Sequence, residues 1–233
     1  MTDWRLLELN FEETEFRVEG KRALGPYKRA LAFYAPGVAP VEDESGWLHI
    51  RPDGSPLYPQ RYRRAFGYYC ARAAVMDDNG WFHLDLEGNP VYAERRPWVG
   101  NFQQDLCTVR DESGAYFHIR PDGSRLYSEN YLYAGDYYEG TACVKNNDGL
   151  FTHIDLAGKT VHGRYYPELG VYHKGFATAG DESGRFHIDK RGFPAYKQRY
   201  LFVEPFYNGA AFAIAQDGKQ LVVGENGEVL WGL

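Results

Sequence analysis

Apolar and aromatic residues in this chain fall in short runs that polar, glycine-containing segments interrupt. Between residues 131 and 163 the runs are YLYAGDY, TACVK, LFTHID and KTVHG, and the interruptions are YEG, NNDG and LAG. Short runs rich in aromatic and β-branched side chains, bounded by glycine and asparagine, are typical of strands joined by tight turns. The pattern therefore predicts a unit of four short strands.

The same pattern recurs along most of the chain. Glycines expected to close the turn between the second and third strands recur every 34 or 35 residues: Gly46, Gly80, Gly114, Gly149, Gly184 and Gly218. A second series follows the third strand with the same spacing: Gly54, Gly88, Gly123, Gly158, Gly192 and Gly227. A ring side chain stands four residues after each member of this series: Tyr58, Tyr92, Tyr127, His162, Tyr196 and Trp231. A fixed period of this length indicates a repeat architecture.

Six units fit between residues 27 and 233, and we predict that they form one continuous domain, because no linker-like segment interrupts them. Residues 1–26 predict a degenerate or partial repeat. Their segments RLLELN, TEFRVE and KRALG match the second, third and fourth strands of a unit, and the first strand is missing.

Units of four strands can build a closed β-propeller or an open solenoid. The sequence ends in GEVLWGL, which is apolar and aromatic, whereas a solenoid cap needs a polar outer face. Closure also removes exposed sheet edges. We therefore predict an all-β fold, a closed β-propeller of about six small four-stranded blades. Seven blades or an open β-solenoid are the alternatives.

Composition and charge narrow the class of partner. Aromatic residues make up 16% of the chain, which favours strands, and the net charge of −6 disfavours nucleic acid as a partner. No apolar stretch approaches the roughly 18 residues that a membrane span needs, and no signal-peptide pattern opens the chain. Three cysteines without metal-type spacing, Cys70, Cys107 and Cys143, predict reduced and mostly buried thiols. These features favour a cytoplasmic protein.

Two units carry the residues of a recognisable repeat phrase. One contains Gly184, Phe186, Ile188, Asp189, Gly192 and Tyr200, and another contains Tyr131, Gly135, Tyr137, Gly140, Ala142, Gly149, Ile154, Asp155 and Gly158. Residues 27–233 thus resemble the bacterial WG repeat. His153 and His187 depart from that pattern, because they stand where the second glycine of a Gly-aromatic-Gly phrase is expected. The resemblance implies an all-β repeat used as an accessory or interaction module, and it supplies no catalytic residues.

Histidines recur in the third predicted strand: His49, His83, His118, His153 and His187. In a propeller this strand lies about 10 Å farther out than the innermost strand, which places the rings far beyond the roughly 2 Å reach of metal ligation. We therefore interpret them as structural, bonded to the backbone or a carboxylate of a neighbouring blade, with a His–Asp contact within a unit where Asp85, Asp155 or Asp189 follows. We predict no metal and no cofactor.

Carboxylates recur in the DESG-like turns, at Asp43, Glu44, Asp111, Glu112, Asp181 and Glu182. Asp and Ser favour such positions because they hydrogen-bond the local backbone. We interpret these residues as turn formers and not as a calcium or acid-base site, because the oxygen ligands are not spaced as in a calcium loop.

Arginine and tyrosine recur together between units, and this set is the predicted ligand-binding site: Arg61, Tyr62, Arg95, Arg164, Tyr165, Arg199 and Tyr200. Guanidinium groups beside phenol rings on one face could bind a carboxylate, a phosphate or an acidic peptide. The alternative is that each Arg stacks on a neighbouring Tyr or pairs with a carboxylate between blades.

No nucleophile or phosphate-binding motif is present, which lowers the odds of an enzyme without excluding one. The sequence favours a non-catalytic module that presents a loop or inter-blade face to a protein, peptide or small anionic ligand. The alternatives are an enzyme with a central-pocket active site and a structural or oligomerising domain. Groups with strongly shifted pKa values in a deep pocket would favour the enzyme, and exposed aromatic side chains would favour protein recognition.

Overall fold

The computed structural model describes residues 3–232. Over this range the protein is built from short strands, and its one helical segment is a 3-10 turn at Trp4–Leu6. Between residues 3 and 232, no helix is long and apolar enough to cross a bilayer.

Within the described residues, twenty-two strands form seven small antiparallel sheets that follow one another along the chain. The first three sheets contain β1 (Glu8–Leu9), β2 (Phe16–Val18) and β3 (Lys21–Leu24); β4 (Arg29–Ala30), β5 (Ala39–Asp43) and β6 (Gly46–Ile50); and β7 (Arg64–Tyr69), β8 (Arg72–Asp77) and β9 (Gly80–Leu84). The next two contain β10 (Trp98–Val99), β11 (Cys107–Arg110) and β12 (Tyr116–Ile119); and β13 (Tyr133–Ala134), β14 (Thr141–Lys145) and β15 (Phe151–Asp155). The last two contain β16 (Glu168–Leu169), β17 (Ala177–Asp181) and β18 (Gly184–Ile188); and β19 (Phe202–Val203), β20 (Ala210–Ile214), β21 (Gln220–Gly224) and β22 (Val229–Gly232).

The sheet count is seven because residues 8–24 form a sheet of their own, β1–β3. The number of sheets therefore matches the alternative prediction of seven blades. The strands of this first sheet lie in the three segments that the sequence pattern identified. The chain divides into two compact units, residues 1–113 with 119–124, and residues 114–118 with 125–233. The first holds the sheets β1–β3, β4–β6 and β7–β9, and the second holds β13–β15, β16–β18 and β19–β22.

In most repeats the fourth strand is shorter than the sequence predicted. Within residues 3–232, a full fourth strand occurs in the first sheet, as β3, and in the last sheet, as β22. In other repeats the fourth segment makes a single bridge to the third strand, and in three of them the bridging residue is Pro56, Pro90 or Pro194. Thr160 makes the same single bridge in another repeat, with the same flanking backbone hydrogen bonds, so the shortened pairing does not depend on proline.

Six of the sheets, from β4–β6 onward, bury equivalent residues of their second and third strands. The repeated core positions are nearly inaccessible to solvent: Val41, Val75, Val109, Val144, Ala179 and Ala213 in the second strands, and Ile50, Leu84, Ile119, Ile154, Ile188 and Val223 in the third. Alternation along these strands sends their neighbours to the opposite face of the sheet. The hydrophobic pattern therefore fixes the register of each sheet.

We call the connections turn 1, between the first and second strands, turn 2, between the second and third, and turn 3, after the third. The turn 3 glycine contacts the ring of the preceding repeat. A Cβ built on Gly88 would lie 2.3 Å from Cδ1 of Tyr58, and one built on Gly158 would lie 2.5 Å from Cδ1 of Tyr127. Gly123, Gly192 and Gly227 meet Tyr92, His162 and Tyr196 in the same way. The second glycine series therefore exists because consecutive repeats pack there.

Replacing Gly88 by Ala should lower the free energy of unfolding by about 3 kcal/mol. Its φ of +84° adds roughly 1–2 kcal/mol for a residue with a Cβ, and the methyl group would overlap the Tyr58 ring, which adds roughly 1–3 kcal/mol. Gly218→Ala is the control, because Gly218 has a φ of +85° and open space around it. Urea denaturation of both variants measures the difference, and equal losses would show that the ring contact is unimportant.

Candidate functional site

The five repeated histidines are fully buried, and each bridges two sheets. In His83, Nε2 lies 3.0 Å from the backbone oxygen of Gly100, in the next sheet's first segment, and Nδ1 lies 2.6 Å from the Tyr92 hydroxyl. The same pair of contacts occurs at His49, His118 and His187. The predicted bond from imidazole to a neighbouring sheet's backbone is confirmed.

These contacts define the tautomer. A backbone oxygen can only accept, so Nε2 carries the hydrogen, and Nδ1 accepts from the tyrosine hydroxyl. Burial lowers the pKa of His49, His83, His118 and His153 to about 4, and the hydrogen bond to the backbone oxygen only partly opposes this effect. Burial likewise lowers the pKa of His187. The shifted groups lie inside the sheets, where no substrate can reach them, and not in a deep pocket.

One repeat replaces the tyrosine by His162. Its Nε2 lies 3.1 Å from Nδ1 of His153, and its own Nδ1 accepts from the backbone N–H of Arg164 at 3.1 Å. His162 therefore donates as the tyrosines do, and the chain of hydrogen bonds is preserved. Burial lowers the pKa of His162 as well, which keeps the pair neutral.

The predicted His–Asp contact within a unit is wrong, because both nitrogens of each histidine have other partners. Asp85 instead accepts the backbone N–H groups of Glu87 and Asn89 in turn 3. In turn 2, Asp43 accepts from both the backbone N–H and the hydroxyl of Ser45. The interpretation of the DESG carboxylates as turn formers is confirmed at this turn.

Three of the predicted site arginines are already paired. Nε of Arg61, Arg95 and Arg199 lies 3.1, 2.8 and 2.9 Å from the carboxylates of Asp43, Asp77 and Asp181. The guanidinium of Arg95 lies 3.4 Å from the centre of the Phe82 ring, and that of Arg199 lies 3.6 Å from the Phe186 ring. Each of these groups therefore pairs with a carboxylate at turn 2, as the alternative interpretation predicted.

The predicted tyrosines occupy two different environments. Tyr200 is buried, and Tyr62 is half-buried with its ring 5.8 Å from that of Tyr58. Tyr165 is exposed, and the guanidinium of Arg164 lies 3.7 Å from the centre of the Phe193 ring. These seven residues therefore do not form one set of equivalent positions.

The sequence analysis placed Arg164 and Tyr165 at the repeat positions of Arg61 and Tyr62. This alignment is wrong by one residue. The backbone bridge that joins Trp47 to Tyr62 and Arg185 to Tyr200 joins Phe151 to Tyr166. Tyr165 therefore occupies the position of the paired arginines, and Arg164 precedes it. The segment GRYYPE contains two consecutive tyrosines after its arginine, so the sequence alone could not show which tyrosine is equivalent to Tyr62. The backbone pairing identifies Tyr166 as the equivalent residue.

A shallow depression of about 520 Å³ adjoins the arginines of the first unit. Arg61, Tyr62, Asp77 and Asn79 are among the residues that line it. Carboxylates line it together with the basic groups, so it offers an anion no net positive surface. Across residues 3–232, no cluster of three His, Cys, Asp or Glu side chains could hold a metal ion. Cys107 and Cys143 are buried and Cys70 is exposed.

Exposed aromatic side chains recur at turn 1, a series that sequence reasoning missed. Tyr34, Tyr69, Tyr138 and Tyr207 have 63%, 43%, 48% and 63% of their surface exposed, and His173 takes the same position in another repeat. They are spaced by multiples of 34 or 35 residues, so the repeat period was a signal that could have found them.

Two-residue hairpins hold Tyr138, His173 and Tyr207 in place. Tyr138 and Thr141 exchange both backbone hydrogen bonds across Glu139 and Gly140, whose φ values are +49° and +76°. Positive φ at both turn residues is the pattern of a type I′ hairpin, whose twist matches that of the strands. His173 and Tyr207 stand before equivalent turns. The backbone therefore fixes each ring at the end of its sheet.

Neighbouring turns of the second unit contact one another. The backbone N–H of Lys174 donates to the Glu139 carboxylate at 3.3 Å, and the Lys174 ammonium donates to Oδ1 of Asn208 at 3.2 Å. The rings of His173 and Tyr207 have centres 4.9 Å apart. We call the surface of Tyr138, Glu139, His173, Lys174, Tyr207 and Asn208 the turn 1 face.

The first unit has a related feature at the same end of its sheets. Tyr34, Phe66 and Tyr69, together with Leu31 and Pro40, line a pocket of about 310 Å³. All three aromatic rings are exposed at its rim. Turn 1 therefore presents aromatic surface in both units.

No protein-family model matches the sequence, and no curated protein is similar to it in sequence. Among solved structures, the chain is similar to a eukaryotic initiation factor, with a TM-score of 0.55 and 9% identity over 95% of this chain and 67% of that one. It is also similar to the computationally designed Ika8 protein, with a TM-score of 0.52 and 11% identity over 94% and 79%. The C-terminal WD40 domain of Sif2 has a TM-score of 0.45 and 10% identity over 85% and 66%.

At these identities the first two likenesses concern the fold alone. They agree with the consecutive small antiparallel sheets of this chain, and the protein has the β-propeller fold that the sequence predicted. A fold of this kind hosts many functions, so the function has to be argued from the surface.

Proposed function

We propose that this protein is a non-catalytic binding module that recognises a protein or peptide through the turn 1 face. The observation that carries the proposal is the exposure of Tyr138 and Tyr207 on rigid two-residue hairpins. Tyrosine supplies a large contact area with little loss of side-chain freedom, and it is enriched where proteins bind one another. A rigid backbone further reduces the entropy cost of binding.

The charges of the turn 1 face support a polypeptide partner. The Glu139 carboxylate and the Lys174 ammonium lie between the rings, and each already has one hydrogen-bond partner. Protein–protein interfaces commonly have an apolar centre surrounded by a polar rim. Aromatic side chains with charged groups of both signs around them match this arrangement. A small anion finds less support, because three of the four arginines predicted to bind it are paired with Asp43, Asp77 and Asp181.

Catalysis also finds less support, because the groups that could act as acids or bases already have partners within the protein. The groups with strongly shifted pKa values include the buried histidines and their tyrosines, which hydrogen-bond one another and the backbone, and the buried Cys143. The likeness to WG repeats and the cytoplasmic location stay predictions.

Affinity capture from native lysate, followed by titration of each purified partner, tests the proposal. The double variant Tyr138→Ser with Tyr207→Ser should bind the partner at least tenfold more weakly, because each exposed aromatic anchor contributes roughly 1–2 kcal/mol. Tyr165→Ser is the control, since Tyr165 is 45% exposed but lies outside the turn 1 face. Triple replacement of Arg61, Arg164 and Arg199 by Ala should leave the affinity unchanged.

Equal affinity of the tyrosine double variant and the wild-type protein would contradict the proposal. So would a partner whose binding depends on the arginines alone. Thermal unfolding of every variant establishes that the fold is intact.

A further inference from the structure

The pocket of about 310 Å³ in the first unit combines aromatic walls with a carboxylate. Its lining residues fall between Leu9 and Asn101, so they all belong to the first unit. Tyr34, Phe66 and Tyr69 supply the aromatic lining. Sites for small molecules are typically concave, lined by apolar and aromatic side chains with a few polar groups, and they start at roughly 300 Å³. The pocket therefore has the lining and the size of a small-molecule site.

Phe66 has one free ring face at this pocket. It lies in a β-bulge, because the register between β7 and β8 shifts between Ala65 and Tyr68. Bulges commonly re-aim a side chain next to a functional site. Trp81 stacks on one face of the Phe66 ring, with ring centres 5.5 Å apart and an angle of 12° between the planes. Since the side chain is still 45% exposed, the opposite face is available to a ligand.

The backbone holds the two tyrosines at the pocket. The backbone oxygen of Tyr34 accepts from the N–H of Gly37 at 2.6 Å. Tyr69 is followed by a two-residue hairpin, whose residues Cys70 and Ala71 have φ values of +47° and +60°. Both phenol rings therefore extend from a fixed backbone, which reduces the entropy cost of ordering them on a ligand.

Charge in the pocket favours a cation. Among the described residues that line it, only Glu13 is charged. The backbone N–H of Glu13 donates to Asn10 at 3.1 Å, and its backbone oxygen accepts from Ala30 at 2.7 Å, which fixes its position between β1 and β2. Its carboxylate lies 3.7 Å from the Arg29 guanidinium, beyond hydrogen-bond range, and about half of each side chain is exposed. Such a surface pair contributes little, so the carboxylate can attract a second cation.

The aromatic lining selects among cations. The face of an aromatic ring attracts a cation, and quaternary ammonium groups are the ligands for which proteins most often use such rings. A quaternary ammonium has no N–H to donate, so ring faces and a nearby carboxylate meet its needs. A lysine ammonium has three donors and is strongly hydrated, so it gains less from ring faces.

We propose that this pocket binds a small quaternary ammonium compound. The charged group lies against the free face of Phe66, between the two tyrosines and near the Glu13 carboxylate. The side-chain amide of Asn101 also lines the pocket and can hydrogen-bond the polar end of the ligand. The site shares no residue with the turn 1 face, so it is independent of partner binding there.

Isothermal titration calorimetry with choline tests the proposal on the full chain. The wild-type protein should bind choline at one saturable site. The uncharged analogue of choline, in which a carbon atom replaces the nitrogen, has the same shape and should bind about tenfold more weakly, because it lacks the attraction of a cation to the rings and the carboxylate.

Variants of the lining separate charge from apolar contact. Tyr34→Leu with Tyr69→Leu keeps apolar surface but removes two aromatic rings, so it should bind choline about tenfold more weakly and the uncharged analogue as the wild type does. Glu13→Gln should weaken choline binding about threefold to tenfold, because it removes the carboxylate charge. Tyr165→Leu is the matched control, since Tyr165 is also exposed and does not line the pocket.

The double variant Tyr138→Ser with Tyr207→Ser should bind choline normally, which separates this site from the proposed protein-binding face. Thermal unfolding of every variant establishes that the fold is intact. A wild-type protein without saturable choline binding would overturn the proposal, as would equal affinity for choline and its uncharged analogue. A peptide carrying trimethyllysine that binds more tightly than choline would overturn the assignment to a small molecule.

Discussion

Acidification from neutral pH to about pH 4 is expected to unfold the protein. His49, His83, His118 and His153 stay neutral in the folded chain until about pH 4, because burial lowers their pKa values. In the unfolded chain their pKa values return to about 6.5. Between these values the unfolded state binds more protons, so stability falls as the pH falls.

The size of the effect follows from linkage. Each such histidine removes about 1.4 kcal/mol of stability per pH unit within this window, and four together remove about 5 kcal/mol per pH unit. A domain typically has about 5–15 kcal/mol of stability, so unfolding should occur within the window. Urea denaturation at a series of pH values measures the slope.

The carboxylates change the stability of the protein only at lower pH. Hydrogen bonds from Ser45 and Arg61 lower the pKa of Asp43 below its ordinary value, although partial burial opposes them, so its contribution is lost only on further acidification. His173→Asn is the control, because His173 lies at turn 1 outside the buried series. Constant stability from neutral pH down to about pH 4 would show that the histidine rings take up protons as readily in the folded chain as in the unfolded chain.

Replacing His83 by Phe is expected to lower the free energy of unfolding by about 4 kcal/mol at neutral pH. The variant leaves the Tyr92 hydroxyl and the Gly100 backbone oxygen without the partners that they have at 2.6 and 3.0 Å. Each unsatisfied buried group costs roughly 1–3 kcal/mol. The ring of Phe fills most of the space, so the loss reports mainly the hydrogen bonds.

Two controls separate the contributions at this histidine. Tyr92→Phe removes one hydroxyl and keeps the bond to Gly100, so it should cost about 1–2 kcal/mol. The difference between wild type and His83→Phe should also narrow by about 1.4 kcal/mol per pH unit as the pH falls from about 6.5 towards about 4. A difference independent of pH would mean that the imidazole contributes only its shape.

Sequence periodicity predicted the fold well because glycine acts locally. The turn 2 and turn 3 glycines have positive φ values or pack closely against another residue, and their regular spacing locates them in the sequence. The shortened fourth segment was harder to predict, because Pro56 and Thr160 make the same single bridge in their repeats. The first sheet lies within residues 8–24, where the glycine of the repeat survives as Gly20 and the ring position is Leu24.

The candidate site was harder to predict because its contacts lie between strands. The histidine and its tyrosine are always nine residues apart, a signal present in the sequence, yet only the fold shows that their side chains meet. The arginines suggested a binding face, but their carboxylates lie 18 residues earlier and approach them only when the second strand is paired. The exposure of Tyr138 and Tyr207 could not be predicted from the sequence. Alternation predicts on which face of a strand a side chain lies, but it does not predict whether another part of the protein covers that face.

Nitrogen-detected NMR of the imidazole rings tests the central claim most directly, namely that the repeated histidines hold consecutive sheets together. The five rings of His49, His83, His118, His153 and His187 should be neutral near pH 6, with the hydrogen on Nε2 and slow exchange with water. Rings that titrate near pH 6.5, or that carry the hydrogen on Nδ1, would contradict this account.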